Sequence, residues 1–160
     1  MKSKLLDDGS EKTFAVVFDE GDEVMGGLQS FAEKNGITAA QITAIGAFSD
    51  VTLGFFDRKR KEYLRNRIAE QVEVVSLVGD ISVYQGKPKV HVHAVVGKTN
   101  ATAYGGHLLE GKVWPTLEVI VVESPKALRR TWDPEAGLPL IDLAAQAPPK
   151  PGSADRGKVA

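Results

Sequence analysis

A chain of 160 residues with a formal net charge of −1 is sized for one domain, and its 42% hydrophobic and 26% charged residues are those of a soluble globular protein. No apolar run is long enough to span a bilayer, so neither a membrane-embedded nor a wholly disordered chain fits. The balance of 20 basic against 21 acidic residues gives no global attraction to phosphate backbones, and the absence of cysteine excludes disulfides, thiolate metal ligands and thiol nucleophiles.

Residues 1–12 are charged and lack the apolar segment of a secretory signal; they are expected to be an N-terminal extension of a cytoplasmic protein with no membrane partner. The β-branched and aromatic run at 13–18 predicts a strand. Asp19, Glu20, Asp22 and Glu23 then suit a helix start, where carboxylates meet free N–H groups and the positive end of the helix dipole. Val24, Leu28 and Phe31 recur at helical spacing, and Asn35-Gly36 supplies a stop, so one main helix is predicted over 24–34. Strands are predicted at 41–48, 51–56, 63–68, 72–84, 90–96 and 113–122. They are separated by turns at Ser49-Asp50, at 57–61 and at 85–88. Such short connections favour antiparallel neighbours, because parallel strands need long crossovers. The expected architecture is an antiparallel α+β domain over 13–142, followed by a disordered tail at 143–160 that is rich in Pro, Gly and charge.

The chain has three histidines, His91, His93 and His107, and all fall within 17 consecutive positions. On a strand, His91 and His93 share a face about 7 Å apart, while Val90, Val92 and Ala94 face the other way. His107 follows a turn-forming stretch with Gly97, Asn100 and Gly105-Gly106, so a return of the chain brings it toward the other two. Three neutral imidazoles are a ligand set for zinc or another divalent metal, and Glu118 is a candidate fourth ligand, outer-sphere acceptor or general base. The alternative is three polar side chains on a solvated or subunit-facing surface, hydrogen-bonded to neighbours. Arg58, Lys59, Arg60, Lys61, Arg65 and Arg67 form the one local basic run, readable as a weak nucleic-acid contact or as a solvated hairpin. Trp114, beside Pro115, reads as a core or interface residue near an edge or bulge. No phosphate-binding glycine loop, dinucleotide fingerprint or nucleophile elbow is present.

The segments GAFSDVTLGFFD (46–57), VEVVSLVGDIS (72–82), KVHVHAVVG (89–97) and YGGHLLEGKVWPTLEVIV (104–121) together resemble the plants-and-prokaryotes-conserved (PPC) domain family. The resemblance runs over residues 13–142. It implies a strongly bent antiparallel sheet packed with a helix, assembly as a homotrimer, and relatives described as DNA-binding proteins. Matched onto the prokaryotic pattern, His91, His93 and His107 become a metal site. The arginine-glycine-arginine-proline core of the plant AT-hook is absent, the nearest approach being Gly86-Lys87-Pro88. The plant interaction segment is reduced here to Glu73, Ser76 and Leu77 within residues 70–77. Three functions are consistent with these features: a DNA-binding or regulatory homotrimer, a metal-dependent enzyme or small-molecule binder built on the histidines, and a non-catalytic interaction scaffold.

Overall fold

The structure, a computed structural model, describes residues 1–9 and 11–145. In chain order the elements are β1 (Lys2–Asp7), β2 (Thr13–Asp19), α1 (Val24–Asn35), β3 (Ala40–Asp57), β4 (Glu62–Ile68), β5 (Val72–Tyr84), β6 (Lys87–Gly97), β7 (Ala103–Glu123), β8 (Arg130–Asp133) and β9 (Leu138–Ile141). The first seven strands form a sheet of order β1-β2-β7-β6-β5-β3-β4, with every neighbouring pair antiparallel. β7 pairs a second time, with β3, so β7, β6, β5 and β3 close into a ring. This is the expected antiparallel α+β architecture with one helix.

Alternation decides what the sheet buries. Phe14, Val16 and Phe18 on β2, Val90, Val92, Ala94 and Val96 on β6, and Leu117, Val119 and Val121 on β7 all point into one continuous core. α1 closes it with Val24, Leu28, Phe31 and Ala32. Phe31 meets Phe14 edge-on, with ring centroids 5.3 Å apart, and truncating it to alanine is expected to cost about 3 kcal/mol. The helix is bounded by the signals the sequence carries. The Glu23 carboxylate accepts from the backbone N–H groups of Met25 and Gly26, and Gly36 adopts a left-handed φ of 64° to return its N–H to the last carbonyls.

Several boundaries differ from expectation. Residues 2–7, expected to be an extension, pair with β2 as an exposed edge strand. Ser49-Asp50 is not a turn: β3 runs unbroken from Ala40 to Asp57, bending through register shifts near Phe48 and Asp50. A bulge bends an extended chain without ending it, a distinction that polar residue type alone does not reveal. The strand expected at 113–122 begins ten residues earlier, at Ala103, so Gly105, Gly106 and His107 lie on a strand and the chain reverses at 98–102 instead. Trp114 lies on β7, where the register with β3 also slips, and is 43% exposed, so it is not a core residue. The β8–β9 hairpin was not anticipated, and from residue 146 onward the expected tail lies outside the described residues. No helix among the described residues is long and apolar enough to cross a membrane.

Candidate metal centre

β6 places His91 and His93 on one face, with the Val90–Val92–Ala94–Val96 set buried on the other, as strand alternation requires. β7 runs antiparallel beside it with His107 directly opposite His93. The three rings therefore form a triangle with centroid separations of 5.0 to 5.2 Å, and one nitrogen from each ring lies within 4.8 Å of the others. Two glycines make room for this corner. A Cβ at Gly106 would come within 2.8 Å of the Gly54 carbonyl oxygen, and one at Gly54 within 2.8 Å of the Tyr63 ring. With no side chain at Gly54, Tyr63 reaches across from β4 to stack on His107, centroid to centroid 4.7 Å.

The three imidazoles stand in different surroundings. Burial pushes His107 down to about 4, helped by the charges of His91, His93 and Lys89, so this ring is neutral at physiological pH. Burial and then the His91 charge hold His93 below the ordinary imidazole range. Burial also raises the Tyr63 hydroxyl, keeping the phenol protonated. His107 Nδ1 is buried with no hydrogen-bond partner among the described residues, an uncommon arrangement because an unsatisfied buried nitrogen costs about 1–3 kcal/mol.

Among the described residues, His91 is the one histidine held by polar side chains. Its Nδ1 lies 3.1 Å from Nη2 of Arg130 and 3.6 Å from Oδ2 of Asp80. The same guanidinium donates to both Asp80 oxygens at 2.8 and 3.0 Å, to Ser82 Oγ at 2.7 Å and to the Pro139 carbonyl at 3.1 Å. Burial acts to raise the Asp80 carboxyl, but hydrogen bonds from His91 and Arg130 and the guanidinium charge outweigh it and hold the group below its usual value. With its proton on Nε2, His91 accepts from Arg130; with the proton on Nδ1 it turns to Asp80 and leaves Nε2 bare, the arrangement in which a carboxylate orients a ligating histidine.

Sequence reasoning found the histidines and missed what surrounds them. Asp80, Arg130, Tyr63 and Lys89 come from β5, β8, β4 and β6, and three of these four neighbours become visible only once strand pairing is known. Lys89 was legible, because it lies two positions before His91 and so on the same face. Glu118 is not brought to the cluster. It lies eleven positions beyond His107 on β7, opposite Ile45, in an exposed groove with Val75 and Val78, and is not among the grouped ligand atoms. The basic run divides among acidic partners: Arg58 pairs with Glu135, Arg60 with Asp57 and Glu62, Arg65 with Glu110 at 2.6 Å, and Arg67 with Asp50 at 2.5 Å. Lys61 donates to the Pro134 carbonyl, which leaves Lys59 as the residue of the run whose side chain has no polar partner among the described residues.

A ring of antiparallel strands closed by one helix, with three converging imidazoles on two adjacent strands, defines the class: an α+β domain with a histidine cluster whose spacing could hold a metal ion. The model of the Plants and Prokaryotes Conserved (PCC) domain matches residues 7–125, and the chain belongs to that family. A metal-containing protein from Archaeoglobus fulgidus is 33% identical, with a TM-score of 0.75 over 88% of this chain and 96% of that one. A candidate DNA-binding protein from Bacteroides thetaiotaomicron is 29% identical, with a TM-score of 0.79 over 88% and 96% of the two chains. The bifunctional protein GlmU of a Synechococcus strain is 28% identical over 156 residues, 94% of this chain but 24% of that protein, so the chain spans about a quarter of that curated relative. The matched family region ends before β8, so Arg130 comes from outside it.

Proposed function

We propose that this PCC-family domain is a metal-binding protein that holds one divalent cation, zinc or a similar ion, through His91, His93 and His107. The observation that carries the reading is the convergence of three ring nitrogens within 4.8 Å, with His107 Nδ1 buried and lacking a partner among the described residues. Neutral imidazoles at this spacing suit a borderline divalent ion, and the depressed values of His93 and His107 remove proton competition above mildly acidic pH. His91 would offer Nε2 when its Nδ1–H is directed at the Asp80 carboxylate, which stays ionised. The likeness to a metal-containing protein at 33% identity supports the same assignment. Bound there with an open position, such an ion supplies Lewis acidity or an activated water, which makes a metal-dependent reaction or small-molecule binding the activity class to look for. Glu118 has no part in a site built from one chain. The test is metal analysis of untagged protein after zinc exposure and dialysis: about one ion per chain is expected, and loss of that ion in His107→Ala confirms the ligand set.

The assembly proposed with this site is a homotrimer. Its support is an exposed apolar groove where Ile45 is 61% and Val75 60% accessible, bordered by Val78 and Ile120, an arrangement that a lone soluble domain seldom leaves open. Mass measurement in solution tests it, with Val75→Asp expected to yield monomer. A second reading, duplex DNA binding, is favoured by the likeness to the Bacteroides protein, while the pairing of most of the basic run argues for weak contact at best. Titration across a salt series decides it, because binding through Lys59 and its neighbours must weaken steeply as salt rises.

A further inference from the structure

Beside the histidines lies a cavity of about 140 Å³, roofed by the β8–β9 hairpin and reaching both His91 and His107. Its walls divide in two. Leu138, Pro139 and Leu140 form an apolar side, while Lys89, Arg130, Tyr63, His91 and His107 form a polar one. The hairpin is held in place by Arg130, which is 6% exposed and bonds Asp80, Ser82 and Pro139 at once. Its charge is matched by Asp80, so it acts as a strut and does not call for an anion. Lys89 differs. It is half-buried, shares the β6 face of His91 and His93, acts on His107 through its charge, and pairs with no carboxylate among the described residues.

An ammonium group beside three imidazoles opposes the cation that those imidazoles would hold. Placing both there without a counter-charge concentrates positive charge in a partly desolvated corner, a repulsion that one anion between them offsets. The cavity admits roughly half a dozen non-hydrogen atoms. A phosphate would need several N–H donors on several sides, and half of this wall has none.

We propose that this cavity binds a small aliphatic monocarboxylate, its carboxylate between Lys89 and the three-histidine site and its hydrocarbon tail against Leu138, Pro139 and Leu140. The proposal rests on the metal reading above and assigns that site its ligand class. It also gives the hairpin, which lies outside the matched family region, the task of setting ligand size.

The experiment uses the full untagged chain loaded with cobalt(II), followed by its visible spectrum and by calorimetry, with isobutyrate, acetate and inorganic phosphate as probes. Isobutyrate is expected to perturb the cobalt spectrum and to bind about tenfold tighter than acetate, since two further carbons are buried. Lys89→Ala is expected to weaken isobutyrate about tenfold while cobalt is retained at least as well as in the unaltered protein. Full cobalt loading with isobutyrate no tighter than acetate, with phosphate the tightest of the three, or with no change in Lys89→Ala overturns the carboxylate site and leaves the metal reading standing. Failure to load cobalt overturns the metal reading and this proposal with it.

Discussion

The histidine corner and the basic run at 58–67 are both polar clusters that stand out in the sequence, and the fold treats them oppositely. The basic side chains lie on the exposed β3–β4 hairpin, where Glu62, Asp50, Glu110 and Glu135 neutralise most of them one by one. The imidazoles lie where β6 and β7 meet, His91 and His107 half-buried and His93 exposed, with His93 and His107 lacking a hydrogen-bond partner among the described residues. A cluster satisfied within its own chain is structural. One left unsatisfied in a partly dry corner carries a free-energy cost that a ligand can relieve.

The contrast is broken most sharply by removing a ligand. His93→Ala and His107→Ala should each reduce bound zinc from about one ion per chain to a trace, read by elemental analysis, while Arg65→Ala leaves metal content untouched. Next comes the strut. Arg130→Ala leaves the Asp80 carboxylate half-buried without its cation and should lower stability by about 3 kcal/mol, measured as a shift in urea midpoint.

Acid supplies the third test. His107 titrates near 4 in the folded chain against 6.5 when unfolded, so between those values the unfolded state binds more protons. The metal-free protein is therefore most stable, with respect to this group, above pH 6.5 and loses on the order of 2–3 kcal/mol as the pH falls to 4. Urea titrations of chelator-treated protein at several pH values should show that slope, and His107→Phe should flatten it. The smallest effect belongs to the basic run: Arg65→Ala and Arg67→Ala break exposed pairs and should each cost less than about 1 kcal/mol. A larger loss at either position would erase the distinction between the two clusters.

Much of the fold was legible because local chemistry encodes it. Glu23 and Gly36 mark the helix ends, Val24, Leu28 and Phe31 its buried stripe, and the apolar alternation of β2 and β6 the side that faces the core. Where expectation missed, the polar residues had another use. Ser49 and Asp50 sit inside a bent strand, with Asp50 engaging Arg67, and Gly105-Gly106 provides close approach within β7 in place of a turn. Residue type signals that the backbone does something unusual, and a bulge, a tight contact and a reversal draw on the same residues.

The sequence by itself determined the antiparallel α+β class, the single helix with its caps, the pairing of His91 with His93 on one face, and the family. Periodicity and capping are local, so they can be read without knowing the fold. Only the tertiary structure decided that His107 lies opposite His93, that Glu118 lies in another groove, and that Arg130 from the last hairpin braces Asp80 against His91. Those relations depend on strand register and on contacts between residues up to 50 positions apart, and nothing in a local window of sequence specifies either.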